Sequence, residues 1–210
     1  MTKQEMLISL KLCPIVAILR GITPKEVTDV CQALADSGVK FAEITMNSPD
    51  AAKSIRIATE HFDSNQICIG AGTVLTPEQV ETVSDAGGQY IISPNCNPAV
   101  IRRAKELGLL SCPGVFTPSE AFTALDAGAD LLKLFPAGRM VPEYIKDLKA
   151  VVPADFIATG AVGADNIKEY LKFAAGVGIG SAIYKPGMTS EDVAKTIKIM
   201  KNKLNATDIP

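Results

Sequence analysis

The stretch Ile67-Cys68-Ile69-Gly70-Ala71-Gly72-Thr73-Val74-Leu75-Thr76-Pro77-Glu78-Gln79-Val80 holds the decision about the fold. Its apolar run, Ile67 to Ala71, is too short for a helix and is bounded by glycine, so it reads as a buried strand. Thr76 then supplies a hydroxyl at N-cap, Pro77 a preset φ at the first helical position and Gln79 a side chain three residues on, which together start a helix. Ala86-Gly87 ends that helix, because glycine takes the left-handed C-terminal conformation at little cost. The product is one βα unit.

Outward from this stretch the unit repeats at intervals of roughly 20 to 26 residues. Apolar runs stand at Ile15 to Leu19, Phe41 to Thr45, Tyr90 to Ser93, Leu109 to Cys112, Leu131 to Phe135, Phe156 to Thr159 and Gly176 to Ile179, and with Ile67 to Ala71 they make eight. Thr23-Pro24-Lys25-Glu26 and Thr117-Pro118-Ser119-Glu120 repeat the capping signature, and Ser48-Pro49 and Asn97-Pro98 are weaker forms of it. Glycines close further helices at Ser37-Gly38, Leu107-Gly108 and Ala127-Gly128. Eight such units with right-handed crossovers either close into a barrel or open into a doubly wound sheet. Even spacing and the lack of a G-x-G-x-x-G turn after the first strand favour an α/β fold of the (β/α)8 TIM-barrel type. A helix over Lys3 to Lys11 precedes the first strand and could plug the barrel bottom. One barrel domain is expected over 1–204, with a frayed tail over 205–210.

The 21 basic and 23 acidic residues of the 210 give a net charge of -2, which supplies no electrostatic case for a nucleic-acid or anionic-membrane partner. Apolar stretches break well before the roughly 18 residues of a membrane span. The start, Met1-Thr2-Lys3-Gln4-Glu5, does not resemble a signal peptide. Five scattered cysteines without a C-x-x-C pair read as reduced thiols of a cytoplasmic protein. His61 is the only histidine and lies in a polar helix end, so a His-based zinc site or a triad built on several histidines is not expected. No metal and no cofactor is expected. The sequon Asn205-Ala206-Thr207 carries no consequence in such a protein.

Lys133 interrupts the apolar run Leu131-Leu132-Lys133-Leu134-Phe135. Burial disfavours the charged form of an amine, and a neutral amine condenses with a ketone to give a Schiff base. Side chains alternate along a strand, so Glu43 and Thr45 share one face of their run, as do Val16, Ile18 and Arg20, then Ile69, Ala71 and Thr73, then Leu131, Lys133 and Phe135. If these faces point inward, Arg20, Glu43, Thr73 and Lys133 converge at the carboxyl ends of different strands, where barrels of this type keep their chemistry. Two glycine-bearing turns come late, Thr159-Gly160-Ala161-Val162-Gly163 and Gly178-Ile179-Gly180-Ser181. They follow strands seven and eight, the usual phosphate site of the fold, where backbone N–H groups can approach an anion.

Glu43-Ile44-Thr45, Gly70-Ala71-Gly72-Thr73-Val74, Ser93-Pro94, Cys112-Pro113-Gly114 and Leu132-Lys133-Leu134-Phe135-Pro136 together resemble the 2-keto-3-deoxy-6-phosphogluconate/4-hydroxy-2-oxoglutarate aldolases. The resemblance runs from Ile15 through Ser181. It implies a metal-free class I lyase that splits a phosphorylated 2-keto-3-deoxy sugar acid into pyruvate and glyceraldehyde 3-phosphate, and a homotrimer. By resemblance Lys133 is the Schiff-base lysine, Glu43 the general acid/base and Arg20 the carboxylate-binding arginine. Thr73 and Pro94 correspond to pocket residues, and the backbone around Gly160, Ala161, Gly180 and Ser181 to the phosphate cradle. Two departures stand out: many members carry Arg at or near the position of Asn47, and the usual Thr-Gly-Gly turn reads Thr159-Gly160-Ala161. Asn47-Ser48-Pro49 also resembles the phosphogalactonate-cleaving relatives, which leaves the C4 configuration open. Two other readings of the same residues remain: a phosphate-binding barrel isomerase with Lys133 as an electrostatic clamp, and a non-catalytic phosphometabolite-binding barrel.

Overall fold

A computed structural model of the chain describes residues 1–205. The strands are β1 (Ile15–Leu19), β2 (Phe41–Thr45), β3 (Cys68–Gly72), β4 (Tyr90–Ile92), β5 (Leu110–Cys112), β6 (Gly114–Val115), β7 (Leu132–Leu134), β8 (Phe156–Thr159) and β9 (Gly176–Ile179). All pair in parallel in the order β5-β4-β3-β2-β1-β9-β8-β7-β6. β5 and β6 are the two halves of one barrel strand, interrupted at Pro113, which has no N–H to give a ladder. The ring closes across this break: the Leu131 N–H donates to the Ser111 carbonyl at 3.2 Å and the Lys133 N–H to the Pro113 carbonyl at 2.9 Å. The eight expected runs therefore form the expected barrel.

Helices α1 (Lys3–Leu12), α2 (Val27–Asp36), α3 (Ala51–His61), α4 (Pro77–Asp85), α5 (Pro98–Glu106), α6 (Pro118–Asp126), α7 (Glu143–Lys149), α8 (Ile167–Leu171) and α9 (Ser190–Asn205) surround it. Capping follows the sequence at α4, α5 and α6, where Thr76, Asn97 and Thr117 accept from Gln79, Ala99 and Glu120 N–H groups. It fails at two places. Thr23 closes a tight turn with Glu26, and α2 begins only at Val27. Ser48 does not cap α3 at all: the N-cap is Asp50, in the left-handed region at φ 47° without a side-chain bond. Asn205 closes α9, so of the expected frayed tail only that residue is described and 206–210 lie outside the described residues. No helix among the described residues is long and apolar enough to cross a membrane.

Two apolar clusters follow from the alternation of side chains. Ile15, Ala17, Leu19, Ala42, Ile44, Leu132 and Leu134 pack outward against the helices. Val16, Phe41, Cys68, Tyr90, Leu110, Leu131 and Ile157 fill the barrel floor, and Met6 and Leu10 of α1 seal it from below. That end encloses a void of about 20 Å³, too small for any metabolite. A pair between Lys3 and Asp130, whose carboxylate also accepts the Ser111 N–H, ties α1 to the barrel.

The expected facing is wrong for β3. Ile69 and Ala71 lie in the outer cluster, and Cys68, Gly70 and Gly72 take the inner face. The reason is space: a Cβ on Gly70 would meet the Tyr90 ring, and one on Gly72 would run into the Glu43 carboxyl. Neighbouring strands fill this part of the barrel, so β3 presents only backbone there.

Candidate active site

At the carboxyl ends of the strands, Glu43 of β2 is 2% exposed and Lys133 of β7 is 6% exposed. Both are buried ionisable side chains on the inner face. Burial pushes the Glu43 carboxyl above its ordinary range, while the nearby positive charges of Lys133 and then Arg20 pull it down. Burial wins. The carboxyl therefore exchanges its proton closer to neutrality than an ordinary glutamate, which suits a group that must both take and give one. Among the described residues Lys133 has no ion-pair partner, and its Nζ lies over the Phe135 ring, 4.8 Å from the centroid. Cys112 is buried within the field of Lys133 and Glu43, and burial holds its thiol well above the usual range.

Phe135, but neither Lys133 nor Glu43, lines a cavity of about 200 Å³ whose wall also includes Arg20, Thr159, Gly160, Ala161, Gly180 and Ser181. The five expected residues of β1, β8 and β9 are thereby brought to one place. Gly160 and Ala161 have φ of 100° and 54°. Asn166 braces this turn, its Oδ1 accepting the Gly163 N–H and its Nδ2 donating to the Ala161 carbonyl, each at 2.9 Å. Arg20 is the one formal charge on that wall, and its Nη1 donates to Asn47 Oδ1 at 3.2 Å.

Thr73 and Pro94 lie on the same rim, at the ends of β3 and β4, but not on this cavity. Thr73 has φ 57°, unusual for a β-branched residue and of the kind that collects at functional sites. The backbone of Pro94 lies against Gly114, where a Cβ would not fit. Among the described residues no group of His, Cys, Asp or Glu is arranged to hold a metal ion. Sequence reasoning missed Phe135 as the wall joining the two halves of the site, and Asn47 and Ser48 as contacts of the Arg20 segment. The first shares Lys133's facing and was findable by it; the others act through groups distant in sequence.

The family model for KDPG and KHG aldolase matches residues 6–199. This chain belongs to that family. It is 44% identical over 185 residues to the 2-dehydro-3-deoxy-6-phosphogalactonate aldolase of Escherichia coli, covering 87% of this chain and 90% of that one. It is 32% identical over 171 residues to the 2-dehydro-3-deoxy-phosphogluconate aldolase of Haemophilus influenzae, covering 80% and 77%. Among solved structures it resembles the KDPG aldolase of Legionella pneumophila with pyruvate captured as a covalent carbinolamine intermediate, at a TM-score of 0.82 and 26% identity over 92% of this chain and 95% of that one. Of the three readings open in the sequence, the family selects the lyase: the chain is an aldolase, a carbon–carbon lyase.

Proposed function

We propose that this aldolase acts on 2-keto-3-deoxy-6-phosphogalactonate in preference to the gluconate epimer, with Lys133 as nucleophile and Glu43 as general acid/base. The observation that carries the assignment of roles is the pair itself: two buried ionisable groups at one barrel mouth, each within the other's field. The Lys133 amine, once its proton is given up, attacks C2 of the keto acid, the carbinolamine loses water, and the iminium becomes the electron sink. Glu43 takes the proton of the C4 hydroxyl as the C3–C4 bond breaks, the bonding pair moves into the enamine, and the aldehyde leaves. The same carboxyl then returns a proton to C3, and water releases pyruvate from the lysine.

Arg20 pairs with the C1 carboxylate and fixes the carbonyl for attack. Its place on the wall joining Phe135 to the glycine turns suits a group that holds the substrate between amine and cradle. The backbone of Gly160, Ala161, Gly180 and Ser181 receives the phosphate, and Thr73 and Pro94 bound the substrate farther round the same rim. Support for the galactonate preference comes from the higher identity to the relative named for that substrate and from Asn47-Ser48-Pro49. The working unit in this reading is a cytoplasmic homotrimer of single-barrel subunits, each spanning 1–204. The free thiols fit that compartment, and the exposed Leu75, Phe122 and Val141 side chains fit burial between subunits.

The test is kcat/KM for the two C4 epimers in a pyruvate-coupled assay. A preference of about tenfold or more for the galactonate, roughly 1.4 kcal/mol in transition-state binding, is expected. Equal values or the reverse order would overturn the preference and leave the aldol chemistry standing.

A further inference from the structure

Ser48 stands where the sequence signature puts a helix cap, yet its hydroxyl is used elsewhere. Its Oγ accepts the Gly21 N–H at 2.8 Å, approaches the Leu19 carbonyl at 3.5 Å and shares a hydrogen bond of 2.9 Å with Thr45 Oγ1. The neighbouring Asn47 accepts from Arg20 itself. Two adjacent residues therefore grip one arginine: Ser48 holds the backbone on both sides of it and Asn47 holds its guanidinium. The turn that carries them is fixed in turn to β3, where the Gly72 carbonyl accepts the Met46 N–H at 2.7 Å.

We propose that Asn47-Ser48 is a positioning clamp that pre-aims Arg20 at the carboxylate of the keto acid. The inference rests on the aldolase reading above. Arg20 is exposed and long, and an unheld side chain of that kind must be ordered each time an anion binds. With Ser48 buried beneath and the Asn47 amide oxygen beside it, much of that ordering exists before substrate arrives. Asn47 touches Arg20 and is assigned no contact with the reacting atoms. Its effect is on binding, through Arg20.

The test uses borohydride trapping over a range of pyruvate concentrations, together with kcat on the full substrate. Pyruvate has the carboxylate but no phosphate. Asn47→Leu is expected to raise the half-saturating pyruvate concentration about three- to tenfold while kcat changes less than about twofold. Asn47→Asp is expected to raise it further, because a carboxylate on Arg20 competes with the substrate's own, and salt is expected to relieve part of that loss. In an Arg20→Ala background Asn47→Leu should add nothing, since it acts only through the arginine.

The clamp is overturned if Asn47→Leu leaves pyruvate saturation unchanged, lowers kcat alone, or costs as much without Arg20 as with it. Weakening confined to the phosphorylated substrate would assign Arg20 to the phosphate and also overturn it. If the unsubstituted protein gives no reduced adduct at any pyruvate concentration, the Schiff-base reading has failed and the clamp falls with it, a result distinct from all the others.

Discussion

Glu43 occupies space that any side chain at position 72 would need. Gly72→Ala therefore displaces the carboxyl rather than the fold, and if Glu43 is the proposed acid/base, a shift of about 1 Å lowers kcat on the order of 10²-fold. Pyruvate trapping at Lys133 should survive in that variant, and loss of trapping would show that the damage is not local to Glu43. The raised carboxyl also affects stability. A folded-state carboxyl that binds its proton at higher pH than in the unfolded chain contributes stability that is complete below the unfolded value and is lost as pH rises through the folded one. Glu43→Gln does not suffer that loss, so its melting temperature should exceed the parent's at about pH 8 and the gap should narrow toward about pH 4. A gap that widened in acid would contradict the burial argument. Lys133, Glu43 and Arg20 were legible in the sequence because charge inside an apolar run, or at its end, needs an explanation. Ile69 and Ala71 misled because the inner face of β3 is glycine, which marks no face; only its neighbours on β2 and β4 reveal the facing.

Helix α1 and the β8 turn show what elements contribute. Leu10 is buried beneath the barrel floor, beside Gly176 and the small void. Leu10→Ala should cost about 2–4 kcal/mol in denaturant unfolding with kcat little changed, because this end is remote from the mouth. A large kcat loss would couple the two ends. At the other end, Ala161 holds a φ that an L-residue adopts at a cost of roughly 1 kcal/mol. Ala161→Gly should stabilise by up to about 1 kcal/mol, and a loss of stability would mean that the methyl's contacts outweigh the strain. Helices α4, α5 and α6 were legible from their caps. Ser48 was not, since its partners at Leu19 and Gly21 come from a different βα unit and no local pattern announces them.

For the whole molecule, even spacing of eight units was enough to choose the barrel, and the broken fifth strand was visible only in three dimensions: Pro113 removes one donor, and β7 bridges the gap. The proposed trimer predicts a solution mass near three times 22.2 kDa by light scattering, and a monomeric mass would refute it. The proposed chemistry at the mouth depends on one covalent bond between the Lys133 nitrogen and the keto carbon of pyruvate. The most direct test is mass spectrometry of the protein after borohydride treatment with pyruvate. One reduced pyruvate unit on the peptide containing Lys133, absent in Lys133→Ala, is the expected result; an unmodified Lys133 at saturating pyruvate would contradict it.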